Sequence, residues 1–178
     1  RVVDILPIES WKGTVSVFET NDPDQTTEFE QAWQNLGKGL RTESWFQDEE
    51  GNPIWEHLLR LDKLSGIGHY GVMLIGLDDG KDLREPVVPR EGMRVTFLRS
   101  FDESLAQITS YENNPSSPRF GFPNTYLLTF NDLHEQPFNG ANPPIQSMNV
   151  HWSRVLHVAD NRGSSEFLGI PRMQQVWN

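Results

Sequence analysis

The feature that most constrains the fold of this chain is the order in which two hydrophobic periodicities follow each other. Apolar residues recur at three- and four-residue spacing over residues 25–39 and again from Pro53 to about Ser65. Both patterns predict amphipathic helices, and proline is favoured in the first turn of the second. Most of the remaining sequence consists of short apolar segments bounded by glycine, proline and asparagine, which is typical of strands and loops. The expected fold class is therefore α+β, with amphipathic helices in the N-terminal half packed on a mixed or antiparallel sheet.

Five segments are predicted to be strands. They are Thr14–Phe18, Val72–Leu77, Val95–Leu98, Thr125–Phe130 and Val150–Val158. The residues before Thr14 mix apolar and polar positions around Pro7, so they are expected to be extended. Pro137–Pro144 is predicted to be a surface loop. The chain of 178 residues is expected to form a single domain without internal repeats.

The composition excludes several classes of protein. Apolar residues make up 36% of the chain and tryptophan occurs 6 times, which is inconsistent with a disordered segment. The absence of cysteine excludes disulfides, thiolate metal sites and cysteine nucleophiles. A formal charge of −10 argues against independent nucleic-acid binding, which depends on clustered lysine and arginine. The longest apolar run, Val72–Leu77, is too short to cross a bilayer, and no signal peptide is visible.

Gly66, Gly68 and Gly71 form a Gly-x-Gly-x-x-Gly pattern between the second predicted helix and the strand that follows it. In dinucleotide-binding proteins these letters follow a strand and open a helix, so that the helix N-terminus faces the pyrophosphate. The order here is reversed, which excludes that interpretation. The glycines are instead interpreted as a tight turn, where the backbone takes positive φ or another segment approaches closely.

Two histidines and a serine alternate along the strand predicted over Val150–Val158. In an extended chain His151, Ser153 and His157 share one face, and Arg154 lies on the other. The two imidazoles would stand roughly 20 Å apart, too far to bind one metal ion. Ser153 would also be too far from His157 to act with it as nucleophile and base. We expect both histidines to hold loops through hydrogen bonds, and Arg154 to pair with a carboxylate of its own or a neighbouring subunit.

The acidic and aromatic residues have simple structural interpretations. Glu49-Glu50 and Asp78-Asp79 lie in predicted turns, where carboxylates are usually solvated rather than catalytic. The tryptophans are interpreted as core or subunit-contact residues rather than a platform for stacking bases, because lysine and arginine are not interleaved with them. They are Trp11, Trp33, Trp45, Trp55, Trp152 and Trp177.

Five segments carry a resemblance to a known family, and they follow the family's order along nearly all of the chain. The first is Val3-Asp4-Ile5-Leu6-Pro7 with Trp11, and the second is Leu64–Gly76, with Gly66, Gly68, Tyr70 and Gly71. The third is Asn114–Pro123, with Gly121 and Pro123, followed by Tyr126. The fourth contains His151, Ser153, Arg154 and His157, and the fifth contains Gly169 and Pro171. Together these residues, called the motif residues below, resemble the wing or body region of tailed-bacteriophage portal proteins, the head-tail connector family.

The resemblance implies a structural role, with no bond chemistry, cofactor or metal. Portal proteins form a ring of about twelve subunits at one capsid vertex, through which DNA is packaged and ejected. The implied partners are other copies of the chain and the capsid, scaffold and terminase proteins, while DNA passes without sequence-specific binding and no membrane is involved. The implied locations are the virion and, during assembly, the host cytoplasm. Arg154 and Arg172 become candidates for the subunit interface, since arginine suits a desolvated charge held in fixed geometry.

We further expect residues 1–178 to be one portal wing-like domain from a longer polypeptide, because the first residue is Arg1 and the last residues resemble the start of a helix. The stem and clip of a portal protein would then lie outside it. Two alternatives remain open. One is a phosphodiesterase or metal-dependent hydrolase that uses His69, His151 and His157 with nearby acids. The other is an adaptor or anti-defence module built on a portal-like body.

Overall fold

The computed structural model of the chain describes residues 2–11, 17–19, 26–39, 53–130, 147–172 and 174, and the structural statements below concern these residues. The helices within these ranges are α1 (Val2–Ser10), α2 (Glu28–Gly39) and α3 (Pro53–Ile67). The strands are β1 (Gly71–Leu77), β2 (Val95–Asp102), β3 (Ala106–Tyr111), β4 (Pro123–Thr129), β5 (Ser147–His151) and β6 (Val155–Val158). A 3₁₀ turn, Trp152–Arg154, separates β5 from β6.

Antiparallel pairing arranges the strands in two three-stranded sheets. The first sheet has the order β2-β1-β6 and the second has the order β3-β4-β5. In the first, Leu74 of β1 lies opposite Arg99 of β2 and Val155 of β6. In the second, Leu127 of β4 lies opposite Asn149 of β5. The expected α+β class is confirmed, and the strands divide between two sheets.

A hydrophobic cluster joins the two sheets. It contains Val72, Leu74 and Phe101 from the first sheet, Ala106, Tyr126, Leu128 and Val150 from the second, and Tyr70 just before β1. β1 and β4 contribute alternate residues, because successive side chains of a strand point to opposite faces. The Tyr70 hydroxyl donates a hydrogen bond of 2.7 Å to the Ala106 carbonyl, so this polar group is satisfied inside the core.

Helix α3 covers the opposite face of the first sheet. Met73, which points away from the cluster, is nevertheless buried, and α3 contacts all three strands of that sheet. The buried residues of α3 include Ile54, Leu61 and Ser65, which share one face of the helix as the sequence periodicity predicts. Helices α1 and α2 pack on α3. The layers therefore run from helices to the first sheet and then to the second.

Helix α2 begins with a capping box rather than at the predicted position 25. Thr27 Oγ1 accepts a hydrogen bond of 3.2 Å from the Glu30 N–H, and Glu30 Oε2 accepts one of 3.4 Å from the Thr27 N–H. This reciprocal pair satisfies two donors that the first turn of a helix cannot satisfy internally. The helix therefore starts at Glu28.

The prediction of an extended N-terminal segment is wrong, because Val2–Ser10 form α1 with Pro7 inside it. Proline lacks the N–H that would bond to the carbonyl four residues earlier, here that of Val3. The Trp11 N–H still donates to the Pro7 carbonyl at 3.0 Å, so helical hydrogen bonding continues past the proline. Pro7 is fully buried and Trp11 packs on Trp55 of α3 at 5.8 Å between ring centroids. These tertiary contacts offset the local cost of the proline, and a local pattern cannot reveal them.

The prediction of one continuous strand over Val150–Val158 is also wrong. β5 ends at His151, the chain makes the 3₁₀ turn, and β6 follows in the other sheet. His151 Nδ1 accepts a hydrogen bond of 3.3 Å from the Ser153 N–H, which stabilises the turn. His151 and His157 therefore lie in different sheets, not on one face of a single strand.

The remaining differences concern the extent of the strands. β2 reaches Asp102, beyond the predicted Leu98, and β3 is not predicted by its sequence pattern. The predictions for Glu49-Glu50, Pro137–Pro144, Trp45, Trp177 and most of Thr14–Phe18 lie outside the described residues. In the described part of the chain, no helix is both long and apolar enough to cross a membrane.

Leu128 is fully buried between the sheets, so Leu128→Ala should destabilise the protein. We expect the free energy of unfolding to fall by about 2–5 kcal/mol, because the change removes apolar contacts and leaves a cavity. Leu6→Ala is the matched control, since Leu6 is 61% exposed in a helix, and it should alter this free energy by less than about 0.5 kcal/mol. Urea unfolding followed by tryptophan fluorescence measures both variants. Equal losses would contradict the assignment of the core.

Candidate functional site

Many of the motif residues lie in three places: the turn before β1, the segment from His151 to His157, and the segment from Gly169 to Arg172. In one group, the turn before β1 runs beside the segment that ends at Arg172. The Gly169 N–H donates to the His69 carbonyl at 2.6 Å, and the Arg172 N–H donates to the Gly66 carbonyl at 3.0 Å. A Cβ on Gly66 would lie 2.7 Å from Arg172 Nη1, and a Cβ on Gly169 would overlap the backbone of Asp160. Glycine is therefore needed at both positions for the close approach of two segments.

The other two glycines of this turn are crowded in the same way. A Cβ on Gly68 would meet the side chain of Glu103, and a Cβ on Gly71 would lie 2.9 Å from the backbone nitrogen of Ser65. In the neighbouring segment, the Pro171 carbonyl accepts a hydrogen bond of 3.0 Å from the Gln174 N–H. The Gly-x-Gly-x-x-Gly pattern thus marks a packed helix-to-strand turn.

The Arg172 side chain connects α1, α3 and the segment after β6. Its Nε donates to Asp160 Oδ2 at 2.7 Å, and its Nη2 donates to Asp62 Oδ1 at 2.5 Å. Its Nη1 lies 3.5 Å from the Val3 carbonyl, which the proline inside α1 leaves without a helical donor. The second oxygen of Asp62 accepts from Trp11 Nε1 at 2.9 Å. Burial alone would lower the pKa of Arg172, but the hydrogen bonds to the two aspartates raise it above its ordinary value.

His157 is enclosed by two tyrosines where the two sheets meet. Its ring stacks on Tyr70 at 4.7 Å between centroids, and its Nδ1 lies 3.0 Å from the Tyr126 hydroxyl. Its Nε2 lies 2.7 Å from the Phe167 carbonyl, which can only accept, so Nε2 carries the proton and the Tyr126 hydroxyl donates to Nδ1. Burial lowers the pKa of His157 and raises that of Tyr70 to about 12, so all three rings are neutral at pH 7.

Arg154 is held inside the protein by an ion pair. Its side chain is 1% exposed, and its Nη2 lies 2.7 Å from Asp79 Oδ2, whose side chain is 4% exposed. Its Nε donates to the Glu85 carbonyl at 2.7 Å. The hydrogen bond from Arg154 holds the pKa of Asp79 below its ordinary value. The expectation that both carboxylates of Asp78-Asp79 are solvated is therefore wrong for Asp79, while Asp78 pairs with the exposed Arg94.

Ser153 and His151 form a hydrogen bond with each other within the 3₁₀ turn. His151 Nδ1 lies 2.9 Å from Ser153 Oγ, and Ser153 Oγ accepts from the Val87 N–H at 2.9 Å. The His151 N–H donates to the Leu83 carbonyl at 2.9 Å. Both residues thus fasten the loop between β1 and β2 to the turn. A serine nucleophile also needs its histidine oriented by a third group, and no described hydrogen bond supplies one here.

The three histidines of the hydrolase hypothesis stand in separate surroundings. His69 is half-exposed and pairs with Glu103 at 2.9 Å, and His151 belongs to the 3₁₀ turn. His157 uses both ring nitrogens in hydrogen bonds, so it has no lone pair left for a metal. In the part of the chain that the structure describes, no group of three or more histidine, aspartate and glutamate side chains could hold a metal ion.

A groove of about 500 Å³ opens beside His157, between β4, β6, the turn before β4, the 3₁₀ turn and the loop after β6. The guanidinium carbon of Arg119 lies 3.5 Å from the centroid of the Trp152 ring, and Arg119 Nη2 donates to the Pro123 carbonyl at 2.8 Å. Gly121 takes a φ of +80° in the turn between these residues, a conformation that favours glycine. The other lining residues include Phe122, Tyr126, Val155, Arg162, Glu166 and Phe167. The groove is therefore aromatic, with an arginine fixed on its wall.

Sequence reasoning missed the carboxylate partners of the arginines. Asp62, Asp79 and Asp160 carry the ion pairs, and Asp62 lies 110 positions from Arg172. Only tertiary structure brings such residues together, although a carboxylate partner for Arg154, in its own or a neighbouring subunit, was expected. Arg119 lies inside the third segment of the family resemblance, Asn114–Pro123, but no local sequence pattern indicates that its side chain lies over Trp152.

The described motif residues join elements of the fold to one another, which is the arrangement expected of a structural body. The model of the phage portal protein family matches residues 1–178, the whole chain. A comparison with curated proteins finds no match. Because the family model covers the whole chain, the chain belongs to the phage portal protein family. That family is structural rather than enzymatic, contributes to the virion, and in general forms oligomeric rings that associate with the capsid.

The structure gives both predicted interface arginines partners within the chain. Arg154 pairs with Asp79, and Arg172 pairs with Asp62 and Asp160. Their contribution to contacts between subunits stays a prediction.

Replacing His157 should weaken the dependence of stability on pH. The folded-state pKa of His157 lies below 6.5, so the unfolded chain binds the proton first as pH falls below 6.5, and stability drops there. His157→Gln should have a lower melting temperature at pH 7.5, since its ring contacts are lost, and a shallower decline between roughly pH 7 and pH 5. The decline does not vanish, because burial also lowers the pKa values of His57 and His151.

Tyr126→Phe is the control for that experiment, because it removes the hydroxyl and keeps the titrating ring. It should lower the melting temperature at pH 7.5 and make the decline shallower by less than His157→Gln does, because burial, the main cause of the lowered pKa of His157, remains. Melting curves at a series of pH values measure both variants. If His157→Gln declined as steeply as the wild type, the neutral buried imidazole would be contradicted.

Arg154→Ala should lower the melting temperature by roughly 6–12 °C, because a buried carboxylate loses its partner. Arg84→Ala is the matched control, since Arg84 is 66% exposed and lies 3.9 Å from the exposed Asp82, and it should change the melting temperature by less than about 2 °C. Differential scanning calorimetry of both variants tests this. An unchanged melting temperature combined with lost ring assembly would instead assign Arg154 to a contact between subunits.

Proposed function

We propose that this chain forms the wing-like body of a portal subunit, and that about twelve copies close into a ring at one capsid vertex of a tailed phage. DNA passes inward through this ring during packaging and outward during ejection. The observation that carries the proposal is the match of the portal family over residues 1–178. The α+β body, in which the motif residues fasten helices, turns and strands together, fits this role.

The charge of the chain supports passage of DNA without binding. A formal charge of −10 creates a potential that repels phosphates, so a channel that such bodies surround does not retain the duplex. Two arginines, Arg154 and Arg172, are neutralised by aspartates of the same chain and are not free to bind phosphate. The proposed interaction with DNA is therefore electrostatic and independent of sequence.

Closure of a ring also requires a subunit of fixed shape, because a small angular error in each copy would leave the ring open. Two groups of contacts supply rigidity. The Arg172 side chain joins α1, α3 and the segment after β6, and the Arg154–Asp79 ion pair joins the 3₁₀ turn to the loop after β1. Hydrogen-bonded charges of this kind tolerate little displacement of their partners.

The proposed partners are neighbouring copies, the capsid and scaffold proteins, and the terminase, which would hydrolyse ATP. Assembly would take place in the host cytoplasm, before the ring enters the virion. The adaptor or anti-defence hypothesis shares the same body, and an assembly experiment separates it from the portal role, since an adaptor need not close a ring by itself.

The test is the mass of the full-length parent protein, determined by native mass spectrometry and paired with negative-stain imaging. We expect a ring of about twelve copies with a central channel. A protein that stays monomeric or dimeric over a range of salt and protein concentrations would contradict the proposal and favour the adaptor role.

A further inference from the structure

Three arginines among the described residues are at least partly buried. Arg119 differs from the other two in the partners of its side chain. Arg154 and Arg172 are each paired with aspartates. Arg119 is half-buried, and its hydrogen bond in the described part of the chain goes to a backbone carbonyl. Its Nε is buried and has no partner among the described residues. Desolvation accordingly lowers the pKa of Arg119, and the nearby Glu112 offsets this effect only in part.

Arg119 cannot move away from this position easily. The guanidinium carbon lies over the Trp152 ring, 3.5 Å from its centroid, and Nη2 donates a hydrogen bond to the Pro123 carbonyl. A cation on an aromatic face is held by the quadrupole of the ring. The remaining N–H groups of the planar fork therefore stay in a fixed orientation, which suits recognition of a carboxylate.

The groove beside Arg119 combines this charge with apolar surface. Phe122 and Phe167 line it and pack at 6.4 Å between ring centroids. Arg162 also lines the groove, so two arginines face one glutamate, Glu166, on a chain whose total charge is −10. His157 and Tyr126 at its base are neutral. The groove is thus locally positive on an acidic protein.

We infer that this groove receives a carboxylate-bearing apolar segment of the neighbouring copy of the chain in the ring. The inference rests on the proposed ring, in which a second copy stands beside every subunit. In a ring each copy meets its neighbours through two different surfaces, so a groove on one surface faces a different surface of the next copy. The charge of −10 makes every copy rich in carboxylates, which complement the two arginines that line the groove.

The contact would have the anatomy of an interface hot spot. Arginine and tryptophan are enriched where binding energy concentrates, in packed pockets from which water is excluded. A carboxylate that engages the free edge of Arg119 would compensate its buried charge, and an adjacent apolar side chain would cover Phe122 and Phe167. Because the groove is built before docking, little ordering of side chains opposes binding.

The first experiment is photo-crosslinking within the purified full-length ring, where the chain itself is the sole protein present. A benzoylphenylalanine replaces Phe122, which lines the groove, and in a control it replaces Phe120, which is 56% exposed and does not line it. After irradiation, mass spectrometry of the digest should join position 122 to an acidic segment of a second copy, and position 120 should give at least about tenfold less of that adduct. A ring that forms without an adduct at position 122 would overturn the inference and leave the portal role intact.

The second experiment compares Arg119→Gln with Arg99→Gln. Arg99 is the matched control, because it also lies over aromatic rings, at 5.3 Å from the Phe130 centroid, and also donates to a carbonyl. Arg119→Gln should raise the protein concentration needed for ring assembly about tenfold or more, and Arg99→Gln should change it less than about twofold. Similar melting temperatures of the two unassembled variants would show that folding is not the cause. Equal assembly of both variants would refute the inference, and the absence of any ring from the wild type would refute the proposed function as well.

Discussion

The architecture depends on the buried ion pair between Arg154 and Asp79. The two side chains are 1% and 4% exposed, and their interaction is strengthened by the low polarity around them. Arg154 can reach Asp79 because the chain makes a 3₁₀ turn over Trp152–Arg154 instead of continuing as a strand. That turn sends β5 into one sheet and β6 into the other. The change of direction lets neighbouring segments of the chain contribute one strand to each sheet, and it places Trp152 beside the groove.

The parts of the fold that could be predicted are those whose signal is local. The apolar stripes of α2 and α3 and the buried run of β1 depend on residues within one element, so periodicity identifies them. The helix α1 escaped prediction because Pro7 is unfavourable locally, and its burial and the contact of Trp11 with Trp55 become visible only in three dimensions. The end of β5 at His151 was not predicted either, because the flanking residues alternate as they do in a strand. The partner of Arg154, which lies 75 positions away, gives no local signal.

The difference between local sequence signals and long-range contacts also applies to the candidate site. Among the residues selected by the resemblance to portal proteins, His157 contacts Tyr70 and Tyr126, whereas His151 contacts Ser153 in the 3₁₀ turn. The physical interpretation of the glycines as a tight turn agrees with the crowding of Gly66 by Arg172. Carboxylate partners such as Asp62 in α3 and Asp160 after β6 had no local signal, since an aspartate is solvated by default. Their ion pairs depend on which arginine the fold places beside them.

The three withdrawn arginines also separate what stabilises a subunit from what joins subunits. A buried guanidinium is stable where carboxylates of the same chain compensate it, and Arg154 and Arg172 meet that condition before any assembly takes place. Arg119 does not, although the stack on Trp152 holds it in place. A charge that is paired within its own chain stabilises the subunit before any neighbour is present. The Arg119 charge, which has no ion pair among the described residues, is therefore the physical basis for placing a subunit contact at the groove.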